Sequence, residues 1–436
     1  MIYSNKLSLN CFFSKLSQSY YYFYFFIMIL WAARAVPITG SMIFFTGNLI
    51  SFSIPILLTL LLLIKYPITF INKKLGITLG IISIWFFAQY IKYNNLNVSL
   101  TFYLYYGIII AYIHVKIYGK NLIYLYEDIV SHLSAIAIIG WLIQIILPQF
   151  IHKLMIFPSN TGTISGSCLL YSEGLDYKTA FIFFRNAGFS WEPGMFASII
   201  IIALLFNIVI NHYKIKNNTK FYTLIIALIT TQSTTGYGTF LLLGSIIFLI
   251  NYRSRYKFIL LLIIIPLTIN IYKLPIMGDK IESLWVSNIN ETKDKLETTQ
   301  EYHQEMRALT RFEALAMEIY NIKNDPILGY GRDNTNSFIE RNLKLSVGLP
   351  NGILKIFAKY GLVLGLLFYG CLYSSSRWMS KELGYHNPIL FFIAYCMISI
   401  SYSFIETPIF LALTLLSLFS APSKRPFRLI TTPLKI

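Results

Sequence analysis

The sequence predicts an all-α, polytopic integral membrane protein of about 12 transmembrane helices, with two long outward loops, the second of them partly helical. Three observations predict it. The 436 residues are 56% hydrophobic and only 13% charged, with mean hydropathy +0.60, far too apolar for a soluble domain of this length. Apolar runs of roughly 17 to 25 residues, long enough to cross a bilayer core as helices, recur along the chain. The lysines and arginines fall mainly on alternate connections between those runs.

Nine runs read as spans: about 20–37, 47–64, 75–91, 99–115, 129–147, 193–210, 257–272, 352–373 and 387–403. The run Phe221 to Ile250 is interrupted by Gln232-Ser233-Thr234-Thr235-Gly236-Tyr237-Gly238, so it reads as two short helices meeting at a polar turn. Ile409 to Ala421 is the last and shortest span. The organisation is then five helices over 1–147, a first outward loop over 148–192, helices 6 to 9 over 193–272, a large outward loop over 273–351, and helices 10 to 12 with a basic tail over 352–436.

Twelve spans return both termini to the same side, and charge tests that arrangement. The proposed cytoplasmic side carries 19 cations, from Lys6 to Lys435, opposed only by Glu127, Asp128 and Glu382, an excess of 16 out of the net charge of +17. The high pI is therefore a topology signal, and no nucleic-acid partner is needed to explain it. Cys371 and Cys396 fall in predicted spans, Cys11 is cytoplasmic and Cys168 faces outward, so no structural disulfide is expected. The first apolar run lacks an evident small-residue cleavage site and reads as a retained helix.

Polar groups gather on the outward side. The run Arg185-Asn186-Ala187-Gly188-Phe189-Ser190-Trp191-Glu192-Pro193-Gly194 sets a cation and a carboxylate just before the apolar run Met195 to Ile210. Pro193 suits a first helical turn, and Glu192 before it is placed to cap free amides. A solvated cap does not require Arg185, however, so the pair reads equally as an anion-binding cation and an orienting group or base. At the break in the Phe221–Ile250 run, Thr230 to Thr235, with Ser233 among them, either bond neighbouring helices or face a polar site.

The second loop predicts a helix over Glu291 to Ile322, stopped at Asp325-Pro326. His303, Arg307 and Arg311 recur at intervals of four and share one face, a geometry suited to clamping a phosphate or diphosphate. A solvated helix pairing these arginines with Glu305, Glu313 and Glu318 is the plain alternative. Then comes Pro326-Ile327-Leu328-Gly329-Tyr330-Gly331-Arg332, read as a turn with Arg332 as a further anion contact, and Leu349-Pro350-Asn351-Gly352 opening the next span. The Gly-x-Gly lacks the remaining features of a nucleotide fingerprint. The six histidines are scattered and no carboxylate cluster has metal-binding form, so neither a metal nor a cofactor is expected.

On these residues the chain resembles the O-antigen polymerase (Wzy-type) group within the larger family of O-antigen ligase-like membrane proteins. The R-x-x-G-x-x-x-E-P-G run at Arg185 to Gly194, the S-T-T-G-Y at Ser233 to Tyr237, the Arg311 to Gly331 block ending in P-I-L-G-Y-G, and Asn351-Gly352 followed by Tyr360 to Gly365 carry the likeness. The resemblance implies an enzyme of the bacterial inner membrane, both termini cytoplasmic, that joins undecaprenyl-diphosphate-linked oligosaccharide repeat units at the outward face. Diphosphate is then the leaving group, with Arg185, Arg307, Arg311 and Arg332 available to it, and Ser233 and Asn351 as further substrate contacts. Glu192 or, second, His303 is the base. The partners implied are membrane lipid, a chain-length regulator and a flippase. Two alternatives stay open: an O-antigen ligase transferring glycan to a lipid A core, and a lipid-linked oligosaccharide flippase or other transporter.

Overall fold

The computed structural model describes residues 19–39, 49–65, 72–159, 164–175, 184–251, 311–343, 352–385, 387–402 and 406–420. Its helices are α1 (Ser19–Ala32), α2 (Val36–Thr39), α3 (Leu49–Lys65), α4 (Lys73–Tyr93), α5 (Val98–Tyr118), α6 (Asn121–Ile146), α7 (Pro148–Leu154), α8 (Pro193–Ile210), α9 (Thr219–Thr231), α10 (Thr234–Asn251), α11 (Arg311–Asn324), α12 (Phe338–Leu343), α13 (Gly352–Leu383), α14 (Ile389–Ser399), α15 (Pro408–Thr414) and α16 (Leu416–Phe419). The predicted spans at 193–210 and on either side of Gln232 are met closely. Those at 257–272 and, in the second loop, 291–310 lie outside the described residues.

Local signals set the ends. The Asn72 side chain accepts the Lys74 and Leu75 amides to open α4, and Asn94, at φ 49°, closes it in the left-handed region where asparagine is tolerated. Asn218 opens α9 by accepting the Phe221 amide, and Gln232 at φ 50° ends it. The polar turn expected there is thus a left-handed cap between two short helices. The last predicted span differs: it divides at Leu415 into α15 and α16.

Helix α8 is apolar on every side and buried along nearly its whole length, so it forms the central post. It packs against α6, α9, α10 and α14, while α5 runs along α15 and α13 packs against α11, α14 and α16. Between helices in lipid there is no hydrophobic driving force, so close packing and scattered hydrogen bonds hold them. The Tyr24 hydroxyl, within 2.9 Å of both Thr59 and His114, ties α1 to α3 and α5 in this way. Such a bond contributes about 0.6 kcal/mol on average.

Four described helices, α4, α6, α8 and α13, are long and apolar enough to cross a membrane, and several shorter apolar helices accompany them. The chain is a multi-pass membrane protein; twelve crossings are more than these helices establish. The structure is consistent with an all-α membrane protein; the first loop adds helix α7 and a small three-stranded antiparallel sheet, β1 (Phe157–Pro158), β2 (Ile164–Ser167) and β3 (Ser172–Gly174), in the order β1-β2-β3. Ile164 sits opposite Gly174 and Phe157 opposite Ser167.

Two polar clusters mark opposite ends of α6, which at 26 residues is roughly 39 Å long. Near its start, Lys220 bonds Glu127 at 3.0 Å and Asp128 at 2.6 Å, all three residues assigned by charge to the cytoplasmic side. Near its end, Trp141 and Gln144 donate to the backbone of Phe184 and Gly174 in the first outward loop.

Candidate functional site

Three segments far apart in sequence converge beyond the N-terminal end of α8. The first is the Arg185 to Gly194 run. Asn186 is fully buried; its amide nitrogen donates to Thr230 and Ala137, its carbonyl accepts the Gly188 amide, and its backbone amide meets Thr230. The run is thereby fastened to the α9 end, where Arg185 Nε also donates to the Thr231 carbonyl at 3.3 Å. Glu192 occupies the position before α8 without a side-chain capping bond; its carboxylate accepts the Tyr402 hydroxyl at 2.7 Å. A Cβ on Gly194 would collide with that phenol, so glycine here admits Tyr402 to Glu192.

The second segment is Pro326 to Arg332. As expected it is a turn, and the structure shows what fixes it. Gly361 takes φ 75°, interrupting α13, and the opened backbone pairs with the turn: Tyr330 and Gly331 amides donate to Ala358 and Lys359 carbonyls, and the Leu362 amide to Pro326. A side chain at Gly361 would strike the Ile327 carbonyl as well as strain the backbone. From α4, Gln89 donates to the Leu328 carbonyl at 2.6 Å and to the Lys359 carbonyl at 2.9 Å, and Tyr93 to Gly329 at 3.0 Å. These bonds deliver Arg332 beside Lys359. Asp325, bridging Lys92 at 2.5 Å and Arg341 at 2.9 Å, holds the outer side of the same turn.

The third segment is 399–402 with Glu406. Glu406 is the hub: it meets Arg332 Nη2 at 3.1 Å, Lys359 Nζ at 3.4 Å and the donating Tyr360 hydroxyl at 2.8 Å. Burial by itself would raise the Glu406 carboxyl, but Arg332 and Lys359, with the Tyr360 hydroxyl, hold it well below its ordinary value. Arg332 shows the mirror image: burial lowers its guanidinium and Glu406 more than restores it. Arg34 joins them, in a left-handed turn at φ 54° just past α1, 5.8 Å from the Trp191 ring and within the electrostatic reach of Glu192 and Glu406. Thr235, at the start of α10, bonds Ser401 at 2.6 Å and so joins the Ser/Thr break to the same face.

The cations outnumber the carboxylates at the hub, and one is under-used. Arg332 is 5% exposed, its guanidinium 5.5 Å from the Tyr103 ring, and its Nε and Nη1 have no hydrogen-bond partner among the described residues. A buried N–H without an acceptor is costly. Both nitrogens keep donors free for an anionic oxygen beside the Nη2 that Glu406 engages. The arrangement is chemically suited to an anion, with a second carboxylate, Glu192, close by.

Of the residues expected from the sequence, Arg332 lies in this cluster and Glu192 beside it. Arg185 is anchored at the α9–α10 break, where the Ser233 hydroxyl accepts the Gly236 amide as a local cap. His303, Arg307 and Asn351 lie outside the described residues, and Arg311 opens α11 with its backbone alone described. Sequence reasoning missed Arg34, Tyr103, Lys359, Tyr360, Tyr402 and Glu406 as site residues. A signal was present for two of them, since Arg34 and Lys359 are ionisable groups inside predicted spans. Among the described residues no three His, Cys, Asp or Glu side chains are grouped to hold a metal ion.

A multi-pass membrane protein with a buried cation cluster at one face is the class these features define. Residues 221–369 match the family model described as O-Antigen ligase. The match covers less than half of the chain, includes Ser233, Arg332, Lys359 and Tyr360, and supports the O-antigen ligase-like family, with which a Wzy-type protein is compatible. No curated protein and no solved structure matches the chain.

Proposed function

We propose that this protein is a polysaccharide-assembly enzyme of the bacterial inner membrane, a polymerase that joins undecaprenyl-diphosphate-linked repeat units at the periplasmic face. The observation that carries the reading is the Arg332 guanidinium, buried, tied through Nη2 to Glu406, with Nε and Nη1 lacking a partner among the described residues. Departing diphosphate accumulates negative charge as its bond to the sugar breaks, and pre-placed cations stabilise that charge without reorganising. Arg332 and Arg34, with Lys359 behind them, supply it here. Arg185, Arg307 and Arg311 are further candidates for the same anion, and Ser233 and Asn351 for glycan contacts.

In the proposed step the hydroxyl oxygen of the incoming unit attacks the anomeric carbon of the growing chain. The carbon–oxygen bond to diphosphate breaks, the lipid diphosphate leaves with the bonding electrons, and the hydroxyl proton passes to Glu192. Tyr402, donating to Glu192, fixes the direction of that carboxylate. His303 is the second candidate for the base.

The family description favours one other reading, an O-antigen ligase whose acceptor is a lipid A core. Purified protein in liposomes, given lipid-linked repeat units with and without lipid A core, separates the two. The proposal expects dimeric and longer glycans on the polyprenyl carrier from repeat units alone. Transfer seen only with lipid A core makes it a ligase, and no transfer with either acceptor, with units merely crossing the bilayer, makes it a transporter.

A further inference from the structure

We infer that helix α7 is an interfacial helix, whose apolar face inserts among the lipids of the leaflet at that end of α6 and seats the first loop on the bilayer. The inference holds whichever glycan reaction the site performs. Wound at roughly 100° per residue, Phe150, Ile151 and Leu154 share an arc of about 100°, while Gln149, His152 and Lys153 occupy the opposite side. Ile151 turns into the protein, but Phe150 and Leu154 are 52% and 44% exposed, and the flanking Leu147 and Ile156 are 55% and 75% exposed. A helix resting on protein beneath water buries its apolar arc. Most of this arc points away from the protein.

Two observations identify lipid as what covers it. The first is continuity. Ile136, Ile139, Leu142 and Ile146 are exposed at steps of three and four along α6, a helix long and apolar enough to cross a membrane, and Leu147 and Phe150 prolong that stripe. The second is depth. Lys220, part-exposed and paired with Glu127 and Asp128 near the start of α6, belongs at a headgroup layer. From Asp128 to Ile146 the helix rises roughly 27 Å, against a hydrocarbon core of about 30 Å. No Asp, Glu, Lys or Arg occurs over 129–146. Helix α7 therefore starts at the opposite hydrocarbon boundary, where an amphipathic helix lies flat with its apolar face buried and its polar face among headgroups. The seat is connected to the candidate site. His152 Nδ1 meets the Glu173 carboxylate at 2.9 Å, tying α7 to β3, and the Ser172 amide of β3 donates to the Gly188 carbonyl at 2.6 Å, within the Arg185 to Gly194 run. Lipid, α7, β3 and that run form one path, which sets the depth of the run relative to the bilayer.

Photo-crosslinking tests this. p-Benzoylphenylalanine replaces Phe150, Leu154, Gln149 or Lys153, one at a time, in the full-length protein held singly in nanodiscs of phosphatidylethanolamine and phosphatidylglycerol, and adducts are read by mass spectrometry. Phospholipid adducts are expected from positions 150 and 154 at roughly ten times the yield from 149 and 153, since one face lies among acyl chains and the other among headgroups and water. A variant that denatures earlier than the unsubstituted protein is replaced by the same probe at Leu147 or Ile156, which the inference also places in lipid. Equal phospholipid yield at all four positions, no adduct from 150 and 154, or cross-links from them to another part of the chain overturns the inference. In discs loaded with two copies, a cross-link from 150 to the second copy in place of the phospholipid does so too.

Discussion

Glu406 accepts from an arginine, a lysine and a tyrosine, and that company decides how the site responds to pH. Its carboxyl titrates below the ordinary value of about 4.3, because Arg332 and Lys359 outweigh the cost of burial. For a group depressed in the folded state, the stabilisation is complete above the unfolded value and is lost only as pH falls through the folded one. Thermal denaturation in detergent is therefore expected to be insensitive to this group between pH 7 and pH 5 and to fall below about pH 4. Glu406→Gln removes that acid limb and leaves two buried cations without their counter-charge, a loss of the order of 3 kcal/mol at neutral pH. A Gln variant as stable as the wild type at pH 7 would show that the cluster is not held together by this carboxylate. Arg332 was legible from its place after the Gly-Tyr-Gly turn. Its partner was not, because Glu406 follows it by 74 positions and lies in a segment with no periodicity of its own.

Elements were more legible where the chain carries local punctuation. The interruption at Gln232 to Gly238 and the proline at the start of α8 each fixed a helix end. The β-sheet of the first loop escaped notice because its strands have two to four residues and no alternation, so the pairing depends on tertiary packing. The interruption of α13 at Gly361 likewise has no meaning until the Pro326 turn lies against it. The E-P-G element carries a specific expectation. Gly194→Ala drives the Tyr402 phenol off Glu192, so glycan transfer is expected to fall roughly a hundredfold, as for loss of positioned acid–base catalysis. Tyr402→Phe removes the hydroxyl without the collision and is expected to fall less. Transfer rates of the reconstituted variants check both; an active Gly194→Ala protein would separate Glu192 from the chemistry.

At the scale of the molecule, composition and the distribution of lysine and arginine gave the membrane class and an orientation, while the meeting of Arg34, Glu192, Arg332 and Glu406 needed the fold. These four come from the end of α1, the start of α8, the second outward loop and the approach to α15, and only packing around α8 unites them. The proposed orientation predicts that a cysteine placed at exposed Asn334 reacts with an impermeant maleimide added outside intact spheroplasts. One placed at Lys216 reacts only after permeabilisation; the reverse pattern would turn the site to the cytoplasm and end the periplasmic assignment.

A diphosphate bound by the buried cation cluster has an affinity that can be measured. Polyprenyl diphosphate binding to the nanodisc-embedded protein, compared between wild type, Arg332→Ala and Lys92→Ala, is the most direct test. Arg332→Ala is expected to lose a charge-assisted, desolvated contact, weakening the dissociation constant by tenfold or more, about 1.5–3 kcal/mol. Lys92→Ala, whose amine serves Asp325 at the outer side of the turn while Arg341 still holds it, is predicted to weaken binding far less than Arg332→Ala does. Equal affinity of the wild type and Arg332→Ala would contradict it.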